Sequence, residues 1–177
     1  MASMILLMGP TGSGKSTQGD IASSARGWTH ISSGALLRQT DADNSSVKSG
    51  DLASARTIED LLRIELLKAH PQDVIVLDGF PRTNTQASWL DGFNQDHGNR
   101  IAHVIVLDIS KDTSRTRLDE RKRSDDGIAA FEEKWIVYSN HTLSVIQDYS
   151  SLGLVTTIPA DGTIEDVTAR INKVLSR

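Results

Sequence analysis

Eight residues near the start of the chain constrain the fold more than any other feature of the sequence. Gly9 to Ser16 read G-P-T-G-S-G-K-S, which matches the pattern G-x-x-x-x-G-K-[ST]. The motif follows the apolar run Met4–Met8 and precedes a stretch of helical periodicity at 15–25. Glycines let the backbone curl so that several N–H groups face one anion, and the helix N-terminus adds partial positive charge. This strand–loop–helix unit predicts a phosphate-binding loop.

Two side chains of the loop have expected roles. Lys15 would reach the β- and γ-phosphates of a nucleoside triphosphate, and Ser16 would bind Mg²⁺. Further triphosphate contacts are expected from Gly9, Gly12, Ser13, Gly14 and Thr17. A GTPase switch is a poor match, because the Asn172-Lys173 pair has Leu175 where the guanine-reading N-K-x-D pattern needs an aspartate.

The rest of the chain alternates short apolar runs with helical stretches. The strand candidates are Met4–Met8, Trp28–Ile31, Val74–Leu77, His103–Ile109 and Leu154–Ile158, and the helical stretches are 15–25, 52–69, 83–96, 111–122, 128–149 and 163–176. Continuous apolar strands separated by helices predict a parallel sheet that is covered on both faces. We therefore expect a single α/β domain with about five strands. The polar stretch 39–51 is predicted to be a loop and the best candidate for a mobile segment.

Composition excludes several classes of function. The 177 residues include no cysteine, which rules out disulfides, thiolate nucleophiles and a zinc site with cysteine ligands. The formal net charge of −4 disfavours bulk attraction to nucleic acid or to an anionic membrane. The apolar runs are far shorter than the roughly 20 residues of a membrane span, and the N-terminus lacks the basic region of a signal peptide. We expect a cytoplasmic protein.

A second group of polar residues follows the third predicted strand. Asp78 lies at the carboxyl end of that strand, where α/β sheets bind ligands, and is a candidate to hold Mg²⁺ through water. Arg82 is expected at the same edge, where a guanidinium can bind two phosphate oxygens. Taken alone, the pattern favours a helix N-cap for Ser33 and a surface charge for Arg38 over contacts to a ligand.

Four segments in the same order resemble the adenylate kinase family of nucleoside monophosphate kinases. They are GPTGSGKSTQG (9–19), ISSGALLR (31–38), DGFPRTNTQA (78–87) and RSDDG (123–127). The third segment resembles the adenylate version of the family, in which the glutamine, here Gln86, reads the adenine of AMP. The resemblance implies a P-loop NTPase fold with an NMP-binding segment at about 32–61.

The resemblance also assigns further site residues. The implied AMP site comprises Ser33, Arg38, Asp51, Leu52, Ala53, Gly79, Phe80, Pro81, Arg82 and Gln86. Gly162 matches a backbone contact to the adenine of ATP, although a turn glycine before a helix would look the same. Arg121 on the ATP side and Arg123 on the AMP side match the two ends of a mobile lid.

The predicted lid differs from that of the family. Only Lys122 lies between Arg121 and Arg123, so the lid is reduced to about 121–125. Lys134 stands where the family has a further arginine, either as a weaker substitute or as an ordinary surface charge. The window 111–123 holds six cations and three acids, which indicates either a solvated, salt-bridged helix or a polyanion site.

These observations together predict reversible phosphoryl transfer between ATP and AMP, with Mg²⁺, without zinc, by a monomer. Lys15, Arg82, Arg121, Arg123 and Lys134 are the expected catalytic residues, and Ser16 and Asp78 the expected magnesium residues. Two alternatives stay open at this point. One is a P-loop kinase for another nucleoside monophosphate or small acceptor, and the other is an ATP-binding or ATP-hydrolysing switch protein.

Overall fold

A five-stranded, all-parallel sheet forms the centre of the computed structural model, which describes residues 2–43, 55–121 and 127–176. The strands are β1 (Ser3–Met8), β2 (Thr29–Ser32), β3 (Val74–Asp78), β4 (Arg100–Asp108) and β5 (Val155–Pro159). Their order across the sheet is β2-β3-β1-β4-β5. The predicted parallel α/β sheet is confirmed, and all five strands lie where the apolar runs placed them.

Helices connect the strands. They are α1 (Lys15–Arg26), α2 (Ser33–Asp43), α3 (Ala55–Leu66), α4 (Asn84–His97), α5 (Lys111–Arg121), α6 (Ile128–Val137), α7 (Leu143–Ser151) and α8 (Ile164–Leu175). A short π-helical turn, Tyr138–Thr142, joins α6 directly to α7.

Each face of the sheet carries its own apolar cluster. Along β1, Met4 and Leu6 point into a core shared with α3, α4 and α7, while Ile5 and Leu7 point into a second core against α8. Successive side chains of a strand face opposite sides, so a strand covered on both faces must be apolar throughout. This explains why the strands read as continuous apolar runs.

The prediction of a loop at 39–51 was wrong in part. The stretch 39–51 was predicted to be a loop, but α2 continues through 39–43, where the Thr40 hydroxyl donates to the Leu36 carbonyl 3.1 Å away within the helix. The rest of that stretch lies outside the described residues. The single helix predicted at 128–149 is α6, the π-helical turn and α7, and it extends to Ser151. Within the described ranges, no helix is long and apolar enough to cross a membrane.

Candidate functional site

The loop between β1 and α1 has the backbone shape that its glycines suggest. Gly9, Gly12 and Gly14 all have positive φ angles, of 136°, 75° and 92°. A Cβ on Gly9 would lie 2.4 Å from the carbonyl oxygen of Leu107 on β4, which is far inside van der Waals contact. The loop therefore turns tightly against the carboxyl edge of the sheet, and Gly14 caps the N-terminus of α1.

A matched pair of glycine substitutions tests this close approach. We expect Gly9→Ala to lower the free energy of unfolding by about 2 kcal/mol or more, because its Cβ meets a backbone atom and its φ is unfavourable for alanine. Gly92→Ala, inside α4 with open space around its Cβ position, should instead stabilise by about 0.5–1 kcal/mol. Urea unfolding measures both. Equal effects of the two substitutions would contradict the close approach.

Lys15 lies folded over its own loop. Its Nζ donates to the carbonyl oxygens of Gly9 (2.9 Å) and Pro10 (2.6 Å) and to Ser13 Oγ (3.3 Å). Burial lowers the pKa of Lys15 from 10.5 to about 8; the charge of Asp78 opposes this shift, while those of Arg82 and Arg121 add to it. The loop thus holds a cation at a desolvated position, where a bound anion would be strongly favoured.

Asp78 accepts hydrogen bonds from two serine hydroxyls at the carboxyl edge of the sheet. Its Oδ2 accepts from Ser16 Oγ at 2.5 Å and from Ser32 Oγ at 2.9 Å, and His30 Nε2 lies 4.0 Å from the same oxygen. The carboxylate is 3% exposed. Ser16 and Asp78, the expected magnesium residues, are therefore in direct contact.

Arg82 follows Asp78 in a turn that fixes its geometry. Its Nε donates to the Gly79 carbonyl (2.8 Å), which sets the plane of the guanidinium. Burial lowers the pKa of Arg82; Asp78 raises it and the charge of Arg38 lowers it further. Arg38 on α2 and Arg82 are thus near enough to repel each other, an arrangement that suits a shared anion.

Gln86 has a structural contact that the sequence did not predict. Its Oε1 accepts from the backbone N–H of Arg82 at 2.8 Å, and the residue is only 8% exposed. The amide NH₂ is the half of the side chain that remains for reading a base. Gln86 therefore stabilises the Arg82 turn whatever else it binds.

Ser33 and Gly79 complete this part of the site. Ser33 is 2% exposed, and its hydroxyl is buried with no hydrogen-bond partner among the described residues. A Cβ on Gly79, whose φ is 75°, would lie 2.8 Å from that hydroxyl and 3.4 Å from Arg82 Nη2. The absence of a side chain on Gly79 therefore lets the Ser33 hydroxyl and the Arg82 guanidinium approach its backbone closely.

The four described cations of the window 111–123 divide into two groups. Lys111 pairs with Glu132 (2.6 Å) and Arg115 with Asp119 (2.7 Å), so the salt-bridge interpretation holds for these two. Arg117 Nη2 donates to the carbonyls of Ala160 (2.9 Å) and Gly162 (3.0 Å). Arg121 ends α5 and is near enough to lower the pKa of Lys15.

The loop after β5 holds Gly162, the residue expected to contact the adenine of ATP. Arg117 and Arg170 both brace this loop, the latter through the carbonyls of Pro159 (2.6 Å) and Asp161 (3.0 Å). Gly162 has a φ of 121°. Two arginines thus hold a segment of backbone beside the N-terminus of α8.

Four of the remaining predicted site residues are placed by the structure, and four lie outside the described residues. Phe80 and Pro81 are buried, with Phe80 packed edge-on against Trp89 in the core, so their side chains serve the fold. Thr17 is exposed on the first turn of α1, and Lys134 lies on α6. Asp51, Leu52, Ala53 and Arg123 lie outside the described residues.

Sequence reasoning missed three residues that the structure ties to this region. They are Ser32 on Asp78, Arg117 on the Gly162 loop, and Thr142, whose Oγ1 donates to the Arg82 carbonyl at 3.1 Å. Ser32 could have been found, because β2 and β3 are parallel and both end at this edge, where Ser32 pairs with Asp78 in register. The sequence carries no local signal for the other two contacts.

Comparisons with known proteins agree with this geometry. The family model for adenylate kinase matches residues 7–154. A protein named adenylate kinase from Synechococcus sp. (strain CC9902) is 32% identical over 99% of this chain and 100% of its own length. Adenylate kinase 1 from Nostoc sp. is 32% identical over 97% of both chains, and the adenylate kinase of Stenotrophomonas maltophilia is 30% identical over 94% of this chain. With a phosphate loop, a buried Asp78 and paired arginines at one sheet edge, the chain belongs to the adenylate kinase family.

Proposed function

We propose that the protein transfers the γ-phosphoryl group of ATP reversibly to AMP, giving two ADP. The observation that carries this proposal is the placement of Lys15 on the phosphate loop and of Arg82 in the turn after Asp78, at the same carboxyl edge of the sheet. The charge of Arg121 helps to lower the pKa of Lys15, and that of Arg38 helps to lower the pKa of Arg82. The four cations come from separate segments, namely the start of α1, α2, the turn after β3 and the end of α5. Phosphoryl transfer develops charge on the equatorial oxygens, and positioned cations stabilise it.

The donor side is built from the loop. Its N–H groups, with Gly9, Gly12, Ser13, Gly14 and Thr17, would bind the phosphates of ATP, and Lys15 would exchange its carbonyl contacts for β- and γ-phosphate oxygens. The adenine of ATP would lie against the backbone at Gly162, whose carbonyl accepts a hydrogen bond from Arg117. Arg121 and Arg123 would close over the transferred group and keep water from accepting it.

The residues present fit a magnesium ion. Ser16 and Asp78 bring a hydroxyl and a carboxylate oxygen together beside the loop, and Mg²⁺ prefers such hard oxygen ligands along with water and phosphate. Among the residues that the structure describes, no three His, Asp or Glu side chains form a metal cluster, which suits an ion held mainly by the nucleotide. Mg²⁺ bound there would neutralise charge on the triphosphate.

The acceptor side is built around Arg82. Arg38 and Arg82 would share the phosphate of AMP, and the buried Ser33 hydroxyl beside Gly79 would gain a hydrogen-bond partner. Gln86 would offer its NH₂ group to the base. The proposal also includes Asp51, Leu52 and Ala53 in the NMP-binding segment at about 32–61. It places Arg123 and Lys134 near the phosphoryl group that is transferred.

The experiment that tests the proposal follows ³¹P resonances of ATP and Mg²⁺ with and without AMP. The proposal expects ADP to appear at twice the rate at which AMP disappears, and expects ADP alone to be converted back. An ATP-binding switch would instead give slow release of inorganic phosphate that AMP does not accelerate. That result would replace the kinase proposal with the switch alternative.

The short lid predicts a measurable side reaction. With only about 121–125 to cover the site, water reaches the γ-phosphate more readily, so we expect more ATP hydrolysis in the absence of AMP than in long-lid relatives. A phosphate-release assay on this protein and on a long-lid relative compares the two. Undetectable hydrolysis here would contradict the inference from the lid.

We also propose a single nucleoside monophosphate kinase domain that acts as a cytoplasmic monomer on small nucleotides, not on nucleic acid or membranes. The acidic net charge and the single sheet support this. Sedimentation equilibrium with and without nucleotide would test the monomer.

A further inference from the structure

The helices α6 and α7 and the π-helical turn Tyr138–Thr142 between them form one long helical rod. The rod changes its packing partner at the turn. The N–H of Leu143 donates to the carbonyl of Tyr138, five residues back. Before the turn, Phe131 on α6 packs under Lys111 and Arg115 of α5. After the turn, Val145 and Tyr149 on α7 enter the core that also holds α4. The extra residue in the turn reorients the buried face of the rod between these neighbours.

Thr142, at the end of this turn, contacts the acceptor side of the site. It is 6% exposed, and its Oγ1 donates to the Arg82 carbonyl at 3.1 Å. A second contact lies nearby in sequence, since Asn84 Nδ2 at the start of α4 donates to Ser144 Oγ on α7 at 3.2 Å. A buried hydroxyl that leaves its own helix to bind a loop carbonyl fixes the position of that loop.

Arg82 is thereby held at three points. Gln86 accepts from its backbone N–H, Thr142 donates to its carbonyl oxygen, and the Gly79 carbonyl accepts from its Nε. Two of these contacts fix the backbone of Arg82 and the third fixes its guanidinium, so the residue loses less freedom when it binds a phosphate, which is the basis of preorganised binding. The same helical rod carries Lys134, so the contact also joins the Arg82 turn to the helix that bears that cation.

We propose that Thr142 is a positioning residue: through its hydrogen bond to the Arg82 carbonyl, the π-helical turn sets the orientation of Arg82 for the acceptor phosphate. The proposal rests on the function proposed above. It requires loss of the hydroxyl to weaken AMP use while leaving ATP use intact, because the described hydrogen bond of Thr142 Oγ1 goes to the Arg82 turn and not to the donor loop.

The test compares Thr142→Val, Thr142→Ser and the control Ser139→Ala. Ser139 lies in the same π-helical turn, but its hydroxyl donates to Trp135 in its own helix at 2.7 Å. We expect Thr142→Val to raise KM and the calorimetric Kd for AMP about tenfold, with less than a twofold change for ATP. Thr142→Ser and Ser139→Ala should each change KM and Kd less than twofold, both for AMP and for ATP. Thr142→Ala is the second variant if Thr142→Val does not fold.

A double-mutant cycle with Arg82→Lys excludes a merely structural role. If Thr142 acts through the guanidinium, Thr142→Val adds less than a twofold change in AMP affinity once Arg82 is lysine. The proposal is overturned if the effect is the same in both backgrounds, if AMP and ATP weaken in parallel, or if Thr142→Val changes nothing. Turnover of the wild type in the same assay distinguishes failure of this proposal from failure of the proposed function. If the wild type shows AMP-dependent turnover and Thr142→Val has no effect, only the positioning role fails. If the wild type shows no AMP-dependent turnover, the proposed function and the positioning role both fail.

Discussion

Arg82→Ala should lower kcat by about a thousandfold or more while the protein still binds ATP. In the proposed mechanism Arg82 holds the acceptor phosphate in line with the γ-phosphoryl group, and an arginine that stabilises the charge of phosphoryl transfer contributes about 10³–10⁵ in rate. Arg82 is held by Gly79, Gln86 and Thr142, and we propose that it binds the acceptor phosphate together with Arg38, whose charge helps to lower the pKa of Arg82. Steady-state kinetics with saturating ATP and varied AMP measure the effect.

The control for this change is Arg100→Ala. Arg100 is an exposed arginine at the amino end of β4, opposite the phosphate loop, with its Nε 3.3 Å from Ser3 Oγ. We expect its turnover to stay within twofold of the wild type. Arg82→Lys should recover part of the loss, since it retains the charge without the planar fork. Near-normal turnover of Arg82→Ala, with an unchanged melting temperature, would remove Arg82 from the site.

Lys15→Met should separate activity from stability. Without the ammonium group, the β- and γ-phosphates lose a charge-assisted donor, and we expect kcat to fall by about a hundredfold to a thousandfold. Stability should not fall with it. Burial lowers the pKa of Lys15 to about 8, so the folded protein holds this charge at an energetic disadvantage that methionine does not have. Kinetics and thermal melting on the same preparation measure both effects.

Lys173→Met is the matched control, because Lys173 is exposed on α8, away from the loop. It should leave both turnover and melting temperature nearly unchanged. A Lys15→Met protein that melts many degrees lower would show that the contacts of Lys15 with Gly9 and Pro10 hold the fold. A Lys15→Met protein with normal turnover would contradict its assignment to the triphosphate.

The features that the sequence predicted well are those encoded by neighbouring residues. The strands were located because both faces of β1 and β3 are covered, which requires unbroken apolar runs. The shape of the loop followed from glycine spacing, since positive φ angles are a property of single residues. The convergence of Asp78 and Arg82 with the loop followed from the rule that parallel strands bind ligands at their carboxyl ends.

The features that the sequence predicted poorly depend on partners that are distant in sequence. The sequence alone does not distinguish Lys111 and Arg117 from the other cations of the window 111–123. The fold distinguishes them, because Lys111 pairs with Glu132 and Arg117 donates to the Gly162 carbonyl. Gln86 was assigned to a base, but its oxygen also satisfies the Arg82 N–H. The π-helical turn has no sequence signature, because its residues continue the helical spacing of α6 and α7 and only packing selects the extra residue.

The measurement that tests the central claim most directly is an acceptor panel. ADP formation from ATP and Mg²⁺ is followed with AMP, dAMP, CMP and UMP, each at several concentrations, alongside a sample without acceptor. The account predicts the highest kcat/KM for AMP and only slow hydrolysis without an acceptor. A higher kcat/KM for CMP or UMP would contradict the role of Gln86, and no acceleration by any of the four would contradict phosphoryl transfer to a nucleoside monophosphate.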